Sequence, residues 1–330
     1  MNIAITGAAG LLGSHLSRHL LNQGYNVYGI DDFSGGYEDF LPEHQNFTFY
    51  ERCLGTDSIY DIFEDNKINC VFHFAAYAAE GLSPFMRHFN YQNNLIASVD
   101  IINECIKHDI KLIFTSSMAV YGKQKPPFDE RMETQPIDPY GIAKATVEKD
   151  IKQASEQFGL RYNIVRPHNV LGVYQNIWDK YRNVIGIFIR RALNGQPILV
   201  YGDGEQTRAF SDISFYMEPF EKLATGLDGE IFNIGADKYW SINQVAGLVV
   251  DTAKKYGIKA RIEHKEPRHE VKHAFCDHTK AKDLLDFEDK TNIITLIEKV
   301  FEWAKTQPDR KVKLMDYEVE KGIYSFWKDK

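Results

Sequence analysis

The stretch Asn2-Ile3-Ala4-Ile5-Thr6-Gly7-Ala8-Ala9-Gly10-Leu11-Leu12-Gly13 decides the fold. The apolar run Asn2–Thr6 predicts a buried strand, and the residues from Leu11 to Asn22 carry helical periodicity. Three glycines stand at the junction. Gly7 permits a tight turn, Gly10 lets backbone come close to a pyrophosphate, and Gly13 lets the helix pack on the strand. A helix that starts there offers unpaired N–H groups and partial positive charge to a phosphate. A glycine triplet alone is weak evidence. A strand before it and a helix after it make it a dinucleotide-binding turn.

Working outward, Asn26–Asp31, Asn46–Glu51, Cys70–Ala75, Ile110–Ser116 and Leu160–Arg166 read as strands. Ser58–Asp65, Pro84–His108 and Pro139–Phe158 read as helices between them, the last two long. Strand and helix in alternation predict an α/β fold of Rossmann type, with a doubly wound parallel sheet. Its strands are apolar throughout, as a sheet covered on both faces requires. After Arg166 the rhythm changes. Pro167–Lys180 reads as loop, and Val184–Asn194 as a helix ended by Gly195 and Pro197. Short strands at Ile198–Tyr201 and Glu230–Ile234 then stand among helices at Phe215–Thr225, Ile242–Tyr256 and Thr291–Trp303. The expected organisation is a cofactor domain over 1–167 and a smaller C-terminal α/β substrate lobe over 168–330, with later segments free to return to the first.

Bulk properties narrow the function. The net charge is -7, with 44% hydrophobic and 26% charged residues, which fits a globular protein and argues against nucleic acid as a partner. Cys53, Cys70, Cys105 and Cys276 are scattered without paired spacing, so free thiols are expected. No basic segment followed by an apolar core marks a signal peptide, and no apolar run is long enough for a bilayer. A cytoplasmic protein that does not engage membranes is expected. His264, His269, His273 and His278 match no metal template, so no metal is expected, and His73 in an apolar strand reads as a satisfied core residue.

The chemistry lies in three places. Asp31 ends the second strand, where a carboxylate accepts hydrogen bonds from the adenosine ribose hydroxyls and repels a 2′-phosphate. Asp32 adds a second negative charge and no arginine follows closely, so NAD is favoured over NADP. Tyr140 and Lys144 lie one turn apart on one face of the long helix after Asp138-Pro139. A free phenol titrates near 10, and a neighbouring ammonium lowers that value, which predicts a tyrosine acid/base tuned by lysine. Ser116 and Ser117 end the fifth strand, at the carboxyl edge where open α/β sheets place ligands.

These residues resemble the extended short-chain dehydrogenase/reductase family, in its nucleotide-sugar epimerase and dehydratase branch. The resemblance rests on the glycine turn and Asp31, on His73-Phe74-Ala75-Ala76, Thr115-Ser116-Ser117 and Tyr121-Gly122, and on Tyr140 with Lys144. Arg166-Pro167-His168-Asn169 and the segment Tyr201 to Arg208 extend it over nearly the whole chain. It implies Ser117, Tyr140 and Lys144 as catalytic residues. For NAD it implies Gly7, Gly10, Leu11, Leu12, Gly13, Asp31 and Asp32, then Phe74, Ala75 and Ala76. Thr115, Tyr140, Lys144, Arg166 and His168 belong to the same set, with Asn94 supporting the binding loop. It implies a nucleotide-diphosphate sugar, UDP- or GDP-linked, held by Ser116, Ser117, Asn169 and the two diphosphate arginines Arg208 and Arg268. It also implies a homodimer through paired long helices.

The chain departs from the branch at three points. Cys53 stands where an acidic residue near the adenine is frequent, a lysine of one 4-epimerase subgroup is unmatched in Tyr77-Ala78-Ala79-Glu80-Gly81, and Ala209 follows Arg208 where relatives carry Asp. Met118-Ala119 replaces the Asp-Glu pair of the dehydratases, and Ala119 the cysteine of the 3,5-epimerases. What remains is the minimal set for oxidising one carbinol carbon. The expected reaction is 4-epimerisation of a nucleotide sugar. The alternatives are a 4-dehydrogenase that releases its ketone, on a GDP-linked mannose-type or heptose sugar for example, and an NAD-responsive regulator without catalysis.

Overall fold

The computed structural model describes residues 1–312 and 316–328. The remaining residues of the expected C-terminal lobe, 313–315 and 329–330, lie outside the described residues. The strands are β1 (Asn2–Thr6), β2 (Asn26–Asp31), β3 (Phe47–Glu51), β4 (Cys70–His73), β5 (Lys111–Thr115) and β6 (Tyr162–Pro167). Later come β7 (Asn169–Leu171), β8 (Ile198–Tyr201), β9 (Thr207–Asp212), β10 (Glu230–Ile234), β11 (Tyr239–Ser241), β12 (Ile262–Lys265) and β13 (His273–Ala274). One seven-stranded sheet runs in the order β10-β6-β5-β4-β1-β2-β3, with every pairing parallel. This is the doubly wound sheet expected of the sequence.

Alternation along β1 shows why the sheet is covered twice. Ile3 and Ile5 pack with Leu16 and Leu20 of α1 (Leu11–Asn22) on one face. Ala4 packs on the other face, in the cluster that holds Phe63 of α2 (Tyr60–Asn66). Each fully buried Leu, Ile or Phe contributes roughly 1.5–3 kcal/mol. The second lobe has its own core, where Ile185, Phe188, Val245, Val249, Leu296 and Val300 meet.

Several elements differ from the sequence reading: β7 forms inside Pro167–Lys180, expected as loop, β11, β12 and β13 are not among the strands read from sequence, and three further differences bear on the site. The strand Glu230–Ile234, read among the C-terminal elements, pairs with β6 from Glu230↔Asn163 to Ile234↔Pro167 and so completes the first sheet. Its residues specify a strand, but only the surrounding surface specifies which sheet receives it. The expected single helix Pro84–His108 is broken. A 3₁₀ turn at Ser83–Phe85 leads to α3 (Arg87–Tyr91), a π-turn at Gln92–Ile96 and then α4 (Ala97–Lys107). The wider turn contains Asn94, whose amide accepts from the Tyr77 N–H at 2.9 Å and donates to the Tyr77 carbonyl at 3.2 Å. Such π-turns recur at functional sites. The helix α5 (Pro139–Phe158) starts and ends where the sequence places it, capped by the Asp138 carboxylate on the Gly141 N–H.

The strand Thr207–Asp212 was not foreseen. β9 pairs with β7, β11 and β13 in a small sheet of the second lobe. Its sequence is polar, so its strand character comes from pairing. Among the described residues no helix is long and apolar enough to cross a membrane.

Candidate active site

The carboxyl ends of β1, β2, β4, β5 and β6 open onto one cleft of about 770 Å³. Residues of both lobes line it, Gly7 and Asp31 from the first and Arg208 and Arg268 from the second.

At the glycine turn, Gly7 has φ +71, and a Cβ there would lie 2.8 Å from the Ala75 amide nitrogen. A Cβ on Gly13 would lie 2.2 Å from the Gly7 carbonyl oxygen. Only glycine fits either place. No side chain caps the start of α1, so its amides face the cleft beside Gly10, Leu11, Leu12 and Gly13. This cradle fits a dinucleotide pyrophosphate. Asp31 accepts from the Ala9 N–H at 3.0 Å and the Phe33 N–H at 2.8 Å. Burial pushes its carboxyl up, opposed by those two amides. Asp31 and Asp32 both line the cleft, as do Phe74, Ala75 and Ala76. Cys53 is absent from the wall; its neighbours Arg52 and Leu54 stand there.

Tyr140 and Lys144 project from α5, and Ser117 follows β5; all three line the cleft. Burial raises the Tyr140 phenol above its ordinary value, a hydrogen bond with the Ser117 hydroxyl opposes this, and the Glu80 and Asp138 carboxylates raise it further. The expected lowering by Lys144 is not what this geometry shows. The Lys144 ammonium donates to the Thr115 carbonyl at 2.8 Å and lies 4.7 Å from the Phe114 ring centroid. Burial pushes Lys144 down to about 7, so in the free protein much of its charge is lost at neutral pH.

This burial carries a pH signature. The folded lysine releases its proton near 7 and the unfolded one near 10.5, so between those values the unfolded chain binds more protons. Stability from this group therefore rises with pH across that window, and the cost of burying the charge is greatest below it. Lys144→Met is expected to make the cofactor-free protein more stable than wild type at about pH 6, with the gap shrinking at about pH 9. Urea denaturation at the two values checks it; a gap that widens with pH would contradict the assignment.

Some expected site residues sit elsewhere. Arg166 does not reach the cleft. Its guanidinium is buried against Glu148, with Nε–Oε1 2.8 Å and Nη2–Oε2 2.5 Å, and donates to the Tyr121 hydroxyl at 2.8 Å. A buried cation must be paired, and Glu148 one turn after Lys144 claims it. The Ser116 hydroxyl donates to the same carboxylate at 2.5 Å, so it is turned away from a substrate although Ser116 lines the wall. Asn94 holds the Tyr77 backbone and does not line the cleft. Thr115 and His168 do line it. The His168 imidazole lies against His278 with Nε2–Nε2 3.3 Å, and burial keeps it well below its ordinary value. His73 is satisfied in the core by Thr6 at 2.7 Å and Ser98 at 2.9 Å.

Asn169 lines the cleft from β7 and donates to the Ala209 carbonyl at 3.2 Å. Arg208 and Arg268 converge there, distant in sequence but joined by Glu270 at 3.0 Å and 3.8 Å. Arg268 also lies over the Tyr201 ring, 4.4 Å from its centroid. Sequence reasoning missed Glu80, Asp138, Arg182 and Glu270 as lining residues. Glu80 stands in the Tyr77–Gly81 stretch already singled out for its unmatched lysine; the others had no signal. Among the described residues no group of three or more metal-ligating side chains occurs.

The sequence profile of the NAD dependent epimerase/dehydratase family matches residues 3–235. The chain is 30% identical over 330 residues to a UDP-glucose 4-epimerase of Halalkalibacterium halodurans, with 93% of this chain and 97% of that one covered. The structure of a UDP-glucose 4-epimerase with UDP-glucose from Thermotoga maritima aligns with a TM-score of 0.86 at 30% identity, covering 92% of this chain and 99% of that one. A UDP-glucuronic acid 4-epimerase from Bacillus cereus, in complex with UDP-glucuronic acid and NAD, aligns with a TM-score of 0.84 at 25% identity, covering 92% and 99%.

Proposed function

The chain belongs to the NAD dependent epimerase/dehydratase family and is an NAD-dependent enzyme; from that premise we propose that it interconverts the C4 epimers of a UDP-linked hexose. The observation that carries this reading is one cleft lined by the Ser117–Tyr140 pair from the first lobe and by Arg208 and Arg268 from the second. A UDP-linked substrate is supported over a GDP-linked one by the names of the relatives, which specify UDP-glucose and UDP-glucuronic acid.

The roles follow from position. Tyr140 takes the proton of the C4 hydroxyl and later returns it, while the Ser117 hydroxyl orients the same oxygen. NAD, when bound, supplies reversible hydride acceptance at C4. Lys144 lies one turn along α5 from Tyr140, donates to the Thr115 carbonyl and lines the cleft, where its ammonium would hold the nicotinamide ribose. Arg208 and Arg268 hold the diphosphate, since guanidinium forks match phosphate oxygens. Anchoring there leaves the hexose free to turn its other face to the hydride. No acid follows Ser117, where Met118 and Ala119 stand, so expulsion of a C6 hydroxyl has no local donor there.

Proton NMR of UDP-glucose and UDP-glucuronic acid incubated with the NAD-loaded protein tests this. The expected result is a mixture of C4 epimers with no net change in NAD. A released 4-ketose with one NADH per sugar would replace the epimerase by a dehydrogenase. No turnover of either would overturn the reading for these two sugars.

A further inference from the structure

The last described segment, residues 316–328, lines the cleft through Lys321, Gly322 and Tyr324 and touches both lobes. On the first lobe, the Glu318 carboxylate accepts from the His88 N–H at 2.7 Å and the Phe89 N–H at 2.8 Å. The Glu318 and Val319 amides donate to the Phe85 carbonyl at 2.9 Å and 3.2 Å. Ile323 and Trp327, 8% and 3% exposed, pack on Ala79, Leu82, Phe85 and Met86 in a small core of their own. On the second lobe, the Tyr317 and Tyr181 hydroxyls lie 2.5 Å apart. The Tyr324 hydroxyl accepts from the His269 N–H at 2.9 Å, and Phe326 stacks on Tyr201 with centroids 4.3 Å apart. Ser325 donates to Glu266 through both its amide, at 2.9 Å, and its hydroxyl, at 2.6 Å.

These contacts flank the part of the cleft lined by Glu80, Gly81 and Arg268. The bridged loop carries Glu80 and Gly81, and the bridged segment of the second lobe carries Arg268. A Cβ on Gly81 would lie 3.6 Å from the Trp327 ring and 3.7 Å from the Arg268 guanidinium. Lys321, Gly322 and Tyr324 themselves line the cleft. The segment is therefore wall as well as brace.

We propose that residues 316–328 are part of the substrate site: Lys321, Gly322 and Tyr324 form the outer wall of its sugar end and keep the oxidised sugar in place until it is reduced again. This rests on the epimerase reading above. A 4-epimerase passes through a bound ketone, and an open sugar end would let that ketone leave with NADH stranded on the protein. The wall then makes the difference between returning the hydride and losing the product of the first step. Lys321 offers an ammonium and Tyr324 a hydroxyl to sugar oxygens, contacts that UDP without a sugar cannot make.

Three variants test it: a chain ending at Val312, Trp327→Ala, which unseats the segment, and the double change Lys321→Ala with Tyr324→Phe, which leaves its core anchors. Calorimetry against UDP-glucose and against UDP alone reads the wall whether or not the sugar turns over. The expected result is about tenfold or more loss of preference for UDP-glucose over UDP, with bound NAD unchanged; UDP affinity holds in the double variant and falls in the other two, which unbrace Arg268. With a turned-over sugar, absorbance at the NADH maximum is expected to climb in the variants and stay flat in wild type. Unchanged preference for UDP-glucose over UDP in the truncated chain and the double variant would overturn the proposal. Retained NAD shows that the variants fold. Failure of wild type to epimerise bears on the proposed reaction; equal sugar binding with and without the wall bears on the segment.

Discussion

Tyr140→Phe is expected to lower turnover by about 10²–10⁴-fold while NAD remains bound, because in the proposed reaction the phenolic oxygen moves the proton. The ring is 8% exposed, and phenylalanine keeps its packing. What is lost is the hydroxyl that hydrogen bonds with Ser117. The change removes an interaction made at the reacting oxygen, so kcat and kcat/KM should fall together and KM should move little. Single-turnover formation of the epimer, followed by NMR beside a measurement of bound NAD, gives both quantities. Turnover within about threefold of wild type would falsify the role of Tyr140 in any oxidation at this site.

The second large effect is on stability. Glu148→Ala is expected to destabilise the protein by about 3–5 kcal/mol, because it leaves the Arg166 guanidinium buried and unpaired. The two side chains are 3% and 2% exposed. The carboxylate also takes the Ser116 hydroxyl. Arg166 in turn reaches Tyr121, whose hydroxyl donates to Asn233 of β10 at 2.8 Å. The network thus ties α5, the residue after β5, β6 and β10 together. Replacing both charges, as in Glu148→Leu with Arg166→Met, should recover much of the loss, since no charge then remains without a partner. Urea midpoints of the single and double variants measure the difference. A single variant as stable as wild type, or a double variant worse than the single, would show that the pair is not what holds these elements.

The legibility of the molecule varied with the range of the forces involved. Gly7, Gly10 and Gly13 could be read because a tight turn and close packing act over a few residues. Tyr140 and Lys144 could be read because helical period sets their spacing. Helix α5 could be bounded because Asp138, Pro139 and Gly159 act locally at its ends. Arg166 misled because its surroundings are assembled from afar: the residue that takes its charge lies 18 positions away on another element. The same holds for Pro84–His108, which has uninterrupted helical character until the Tyr77 backbone claims Asn94.

The sequence by itself determined the alternation of the first six strands with their helices, the glycine turn, the acid at the end of β2 and the presence of Ser117, Tyr140 and Lys144 near one sheet edge. Each depends on neighbours in the chain, through turn sterics, period and capping. The tertiary structure alone decided that β10 joins the first sheet, that Arg166 and the Ser116 hydroxyl serve Glu148, and that Glu270 stands between Arg208 and Arg268. It alone brought residues 316–328 to the cleft. The reason is the same in each case. A buried charge, a strand edge or an apolar ring must find its partner in space, and the partner it found is remote in the chain.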